Sequence, residues 1–195
     1  MALQHLIDFL FPPQCGGCEE PGTGACEACV PRNALVQTRL RTLDVTALAP
    51  YEGNVRRAIV ALKSGRRDVA RAFAERLAEI VPVHSVLVPV PTTSARRRER
   101  GFDGCVLISD IIAEIGDVTA LAGLAQTRGD RQRGRDRRAR LSAQGRFSWR
   151  GPDVRGMQLT LLDDVVTTGA TLEDCADSLR ACGAKVEQAI VIARA

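Results

Sequence analysis

The sequence predicts an α/β protein, a parallel sheet flanked by helices with a small cysteine-rich segment ahead of it. Three observations carry the expectation. Apolar residues recur at helical spacing over 54–63, 68–80 and 103–115, and short apolar runs at 85–90, 158–162 and 185–193 have the length of strands. Strand-like and helix-like segments also alternate, as they do when each parallel strand is followed by a crossover helix. Ligands of such sheets bind beyond the carboxyl ends of the strands.

Taken in order, the chain of 195 residues has room for one α/β domain of ordinary size and an appendage. We expect the appendage over 1–45 and the main domain over 46–195. Leu3, Leu6, Ile7 and Leu10, widened by Phe9 and Phe11, predict a short amphipathic helix that Pro12-Pro13 stops. Cys15 to Cys29 is Gly-rich and without period, so its order depends on a cross-link or an ion. Val55, Ile59 and Leu62, then Val69, Phe73, Leu77 and Ile80, predict two helices broken at Ser64-Gly65. Ser85–Val90 reads as a buried strand ending where Pro89 and Pro91 remove ladder donors, and Thr92–Gly101 as a loop. Residues 103–115 read as a helix and Val118–Leu124 as a weaker strand or connection. Arg128–Arg140 is charge-dense and lacks an apolar period, the pattern of a long loop, either a lid or a binding arm. Gln158–Leu162 is a strand, Thr171–Cys182 a helix stopped by Gly183, and Lys185–Ala193 a last strand.

Composition narrows the classes. Hydrophobic residues at 45% and charged residues at 26% are those of a folded globular chain. Aromatics at 4% are too few for a row of stacking platforms on single-stranded nucleic acid, while a net charge of +4 leaves electrostatic binding open. That charge is concentrated: Arg96, Arg97, Arg98 and Arg100 form one knot and Arg128 to Arg140 another. For the second knot a solvated face and a binding role are both open. The first follows a strand, where a phosphate site could use it. No run approaches the ~18 apolar residues of a membrane span, and no secretory signal pattern opens the chain, so a cytoplasmic location is expected.

Three constellations carry chemistry. Leu159–Leu162 runs into Asp163-Asp164, and adjacent carboxylates at a strand end need a cation or hydroxyl donors to satisfy them. Thr167, Thr168, Gly169, Ala170 and Thr171 then supply hydroxyls, close backbone approach and a helix N-terminus, the parts of an anion cradle. A plain helix start, capped by Thr171 with Asp174 completing a capping box, is compatible with the same residues. The second constellation, Cys15, Cys18, Cys26 and Cys29, makes two C-x2-C knuckles, the spacing of a structural Zn2+ site closed by four thiolates. The odd total of seven cysteines also favours a metal over disulfides, leaving Cys105, Cys175 and Cys182 as core residues. The third is Val88–Phe102, a strand end followed by a basic loop whose arginines can take a diphosphate bidentately.

The segment from Leu159 to Thr171 resembles the phosphoribosyl-diphosphate motif of type I phosphoribosyltransferases. That resemblance implies a type I phosphoribosyltransferase-like sheet, with Asp163 and Asp164 on the ribose hydroxyls and Thr167, Thr168, Gly169, Ala170 and Thr171 on the 5′-phosphate. The order of cysteine knuckles, Lys63-x-Gly65, Pro89-Val-Pro91, Arg100-Gly101-Phe102 and the acid motif resembles the ComF family, phosphoribosyltransferase-like proteins associated with DNA uptake in competent bacteria. By that resemblance Lys63, Pro91, Thr92, Arg96 and Arg100 hold the diphosphate, with Mg2+ accompanying it. The family continues Arg-Gly-Phe with Asn-Gln, where this chain has Asp103-Gly104. Gln132 matches a family glutamine, and Arg140 followed by Ala143 stands where an Arg-x-x-Asn pair is expected.

Two functions are left open. One is a ComF-type protein of DNA uptake that binds phosphoribosyl diphosphate, with single-stranded DNA, a DNA-uptake helicase or a second copy of the chain as partners. The other is an active phosphoribosyltransferase of nucleotide or nucleobase metabolism, for which no residue stands out as general base.

Overall fold

The computed structural model describes residues 12–127 and 146–195. The expected helix at residues 3–10, the basic arm at 128–140, Gln132, Arg140 and Ala143 lie outside these residues. The fold is mixed α/β. One sheet has the order β1-β2-β8-β7-β3-β4, formed by β1 (Val36–Arg39), β2 (Asp44–Pro50), β3 (Val86–Pro89), β4 (Thr119–Ala120), β7 (Gln158–Val166) and β8 (Lys185–Arg194). Its strands run parallel apart from β1, which pairs antiparallel with β2. β5 (Leu124–Gln126) and β6 (Phe147–Trp149) form a separate antiparallel ribbon.

Described helices are α1 (Gly53–Lys63), α2 (Arg67–Ala78), α3 (Ser94–Arg100), α4 (Gly104–Ile115) and α5 (Ala170–Ala181). They cover both faces of the sheet, and the strands alternate to match. In β8, Ile190 and Ile192 pack with α1, α2 and α4, whereas Ala189 and Val191 pack with α5. Leu87 and Val88 of β3 divide in the same way, as do Leu162 and Leu161 of β7. Side chains of a strand point alternately to its two faces, so a sheet covered on both sides needs apolar residues without interruption.

Two expectations are corrected. Residues 94–100, read as loop, form α3, because Thr93 caps it, its side-chain oxygen accepting the Arg96 N–H at 3.2 Å, and Gly101 ends it at φ 77°. This helix buries none of its residues, so no apolar period announces it. β7 runs on past Leu162 to Val166, placing the acid pair inside the strand's last turn of pleat. β1 and β2 precede the expected strands, and β2 pairs with β8 from Asp44↔Gln188 onward.

The cysteine segment is seated on the helices of the first face. Cys15 and Cys29 are buried in the cluster that contains Ala58, Ile59 and Val69. A methyl group at Gly24 would lie 2.3 Å from the Asp68 carbonyl oxygen, so glycine there is what lets the segment touch the start of α2. Arg76 donates to the Val30 carbonyl at 3.0 Å and Arg66 donates to that of Gln14, tying the segment's two ends to α2 and its cap.

Candidate functional site

At the carboxyl end of β3 and β7 a cavity of about 390 Å³ brings together Lys63, Pro91, Thr92, Arg96, Arg100, Asp163, Asp164 and Thr171. Three parallel segments converge there. β3 pairs with β7 as far as Pro89↔Leu162, and the Val90 N–H donates to the Leu162 carbonyl at 2.8 Å. The loop after β3 therefore leaves the sheet beside the acid pair. α1 ends at the same rim, where Gly65 adopts φ 107° to turn the chain into α2.

Period 2 in β7 turns Asp164 to the face that Leu162 shares with α1. There Lys63 Nζ meets Asp164 Oδ2 at 2.8 Å. Asp163 Oδ1 accepts the Asp164 backbone N–H at 2.8 Å and faces the Cys105 thiol at 3.8 Å. Burial, and next the charge of Asp164, push the Asp163 carboxyl up to about 7, against the pull of that backbone N–H and of Lys63. Burial and the same carboxylates raise the Cys105 thiol. The two acids thus differ: Asp164 has a cation partner, and Asp163 holds its proton to near neutrality. Oxygen donors of this kind suit a hard cation such as Mg2+.

On the facing wall, Arg96 and Arg100 are one helical turn apart on α3 and both line the cavity, while Arg97 and Arg98 do not. Among the described residues neither Arg96 nor Arg100 is in an ion pair. The turn is anchored by Phe102, which is buried and has Arg67 5.1 Å above its ring centroid.

Adjoining the cavity, Thr167, Thr168, Gly169, Ala170 and Thr171 surround a hollow of about 30 Å³ at the N-terminus of α5. The N-cap Gly169 has no side chain to offer this helix, and its first amide, Ala170 N–H, donates to the Thr168 hydroxyl at 3.4 Å, while the positive end of the helix dipole lies at the hollow. The capping box does not form: Gly169 is the N-cap at φ 79°, and Asp174 instead pairs with Arg146 Nε at 2.6 Å. A side chain at Gly169 would meet Leu40 within 2.4 Å. Leu40 belongs to the β1–β2 turn, which is fixed to α5 by Glu173, whose oxygens accept the Thr42 N–H at 2.8 Å and its hydroxyl at 2.5 Å.

Several lining residues were not anticipated. Gln126, Thr127, Arg146 and Phe147, from the ends of β5 and β6, close the cavity opposite the acids; strands of three residues leave too short a pattern to read. Asp103 and Cys105 also line it, and Asp103 was noticed only as a departure from a motif.

Cys15, Cys18, Cys26 and Cys29 lie together, their sulfurs all within 4.8 Å of one another and Cys18 and Cys26 at 3.6 Å. A tetrahedron with ~2.3 Å zinc–sulfur bonds needs sulfurs about 3.8 Å apart, so the four residues fit such an ion. The Gly17 and Cys26 N–H groups point at Cys15 Sγ at 3.4 and 3.3 Å, donors that stabilise a thiolate. A bound ion would order a segment that has little core of its own.

No helix among the described residues is long and apolar enough to cross a membrane. The described residues thus combine a mixed α/β fold with a mostly parallel sheet, a cavity lined by an acid pair and by Arg96 and Arg100, and an N-terminal four-cysteine cluster. More particularly, the chain is similar to competence protein ComFC of Bacillus subtilis (strain 168), to which it is 32% identical over 108 residues, 55% of this chain and 43% of that protein. The chain spans less than half the length of this relative. An orotate phosphoribosyltransferase of Nocardioides is 51% identical over 37 residues, 19% of this chain and 21% of that enzyme. Similar solved structures include the allosteric regulatory enzyme of purine biosynthesis (TM-score 0.45, 20% identity, 66% of this chain and 25% of that one). A hypoxanthine phosphoribosyltransferase of Staphylococcus aureus is another (TM-score 0.36, 13% identity, 66% of this chain and 62% of that one). No protein-family model matches the chain.

Proposed function

We propose that the chain binds phosphoribosyl diphosphate with Mg2+ and serves DNA uptake in natural competence from the cytoplasm, its cysteine cluster holding a structural Zn2+. The observation that carries the reading is one cavity lined both by an acid pair on a strand end and by Arg96 and Arg100, which are in no ion pair among the described residues, with a helix N-terminus adjoining. Asp163 and Asp164 receive the ribose hydroxyls, the turn from Thr167 to Thr171 the 5′-phosphate, and Lys63, Pro91, Thr92, Arg96 and Arg100 the diphosphate. Mg2+ bound with the ligand neutralises part of the diphosphate charge. The role in uptake is drawn from the relative's description as a competence protein. Arg97 and Arg98, which do not line the cavity, would meet single-stranded DNA in this reading, with a helicase or a second copy of the chain as further partners.

A second reading, an active phosphoribosyltransferase, is supported by Gln126 and Phe147 of the β5–β6 ribbon, which line the same cavity as the acids and would border an acceptor there. Calorimetric titration of phosphoribosyl diphosphate with Mg2+ into the wild type and an Asp163→Ala/Asp164→Ala double variant tests the shared premise. Binding that the double variant loses supports the pocket; equal weak binding to both overturns it. Release of diphosphate in the presence of nucleobases would separate the transferase from the binding protein. Binding of single-stranded DNA through the arginines should weaken steeply with added salt.

A further inference from the structure

We propose that Asp103 makes this pocket take diphosphate as its divalent-cation complex and reject the free anion; the proposal rests on the diphosphate reading above. Asp103 stands between α3 and α4, only 9% exposed, and borders the same cavity as Arg96 and Arg100. Its Oδ2 accepts the Thr92 N–H at 2.8 Å and its Oδ1 the Val106 N–H at 3.5 Å. A carboxamide has one acceptor oxygen and would turn an NH2 toward one of these donors, so both bonds are met by a carboxylate.

Two consequences follow for an incoming anion. Thr92 is the residue of the β3 loop whose amide would serve a phosphate oxygen, and that amide is already bonded to the chain's own carboxylate. Charge adds to this. Lys63 is matched by Asp164 and Arg146 by Asp174, leaving Arg96 and Arg100 as the lining cations in no ion pair among the described residues, with the Asp103 carboxylate in the same lining. A free diphosphate brings several negative charges into a site that already holds a fixed one, at close range and partly out of water, where like charges repel strongly. A divalent cation on the diphosphate turns that repulsion into attraction, because the cation can face the carboxylates while the remaining phosphate oxygens face the guanidinium groups. Asp103 therefore discriminates between forms of one ligand; this is negative selection by charge.

The test is calorimetric titration of inorganic diphosphate, with Mg2+ and with chelator, into the wild type, Asp103→Asn, Asp103→Ser and Asp103→Glu. Asn and Ser each keep an oxygen for the helix N-cap, so the fold is retained when the charge is removed. The wild type is expected to bind free diphosphate at least about tenfold more weakly than the magnesium complex, and Asp103→Asn and Asp103→Ser to narrow the ratio to about threefold or less by gaining affinity for the free anion. Asp103→Glu should keep the wild-type ratio at lower affinity for both forms. An unchanged ratio in Asp103→Asn and Asp103→Ser overturns the proposal, as does a wild type that binds both forms equally. Failure of the wild type to bind either form sinks the pocket reading itself, an outcome distinct from the other two.

Discussion

Lys63 at the last turn of α1 and Asp164 near the end of β7 form an ion pair at 2.8 Å that joins the two walls of the candidate site across the chain. The pair is only part-exposed, 31% and 25% for the two side chains, so water screens it incompletely. It also distinguishes the two acids, since Asp164 carries the cation partner and the Asp163 carboxyl is raised by burial.

Removing the lysine separates structure from binding. Lys63→Met should fold, since the pair lies at a rim, and should lose about tenfold or more in affinity for phosphoribosyl diphosphate with Mg2+. Calorimetry beside a thermal melt measures both; unchanged affinity would remove Lys63 from the site.

Asp163 should govern the pH dependence of stability. Its carboxyl titrates at about 7 in the fold, against about 3.9 in an unfolded chain. Between those values the folded chain holds a proton that the unfolded chain has lost, so this group's contribution to stability falls as pH rises through that window and is level above it. Burial sets the sign and the charge of Asp164 adds to it, against the pull of the Asp164 backbone N–H, Lys63 and Cys105. Asp163→Asn should therefore melt higher than the wild type at pH 8, by about 2–4 °C for each kcal/mol relieved, with the difference shrinking toward pH 4. Parallel melting curves across this range would refute the assignment.

Phosphoribosyl diphosphate binding should release a proton near neutral pH, because the ribose hydroxyls and the metal favour the ionised form of Asp163. Titrations in buffers of different ionisation heat report that proton directly, and affinity should rise from pH 6 to pH 8. Asp163→Asn should abolish both effects.

The cysteine cluster should contribute to folding. One Zn2+ per chain is expected by elemental analysis, and its removal by chelation should lower the melting temperature. Cys18→Ser should lose most of the metal, and Gly24→Ala, which forces a methyl group into the Asp68 carbonyl, should destabilise the metal-loaded chain while the cysteines remain intact. A metal-free chain with unchanged stability would deny the cluster a structural role.

What the sequence disclosed and what it concealed follow from the range of the interactions. The strands β3, β7 and β8 and the helices α1, α2, α4 and α5 are each announced by their own residues, because burial on one or two faces writes a period into the chain. So is the phosphate turn, whose parts are contiguous from Thr167 to Thr171. α3 was hidden because it buries nothing, and β2 because its identity as a strand comes from pairing with β8, more than 140 residues away along the chain (Asp44↔Gln188), with β1 added only as the antiparallel partner of β2. Asp103 was visible as a residue type, yet its bond to the Thr92 N–H exists only once β3 and α4 are set side by side.

The contact between Leu40 and Gly169 has a consequence for how the protein can be divided. The anion hollow rests on a turn contributed from the first quarter of the chain, and Glu173 is satisfied by Thr42 of that turn. An engineer who cut away the cysteine segment together with everything up to residue 45 would leave a buried carboxylate without donors and remove the floor beneath the cradle. The candidate site begins at β1, so any graft of it onto another protein must carry that hairpin along.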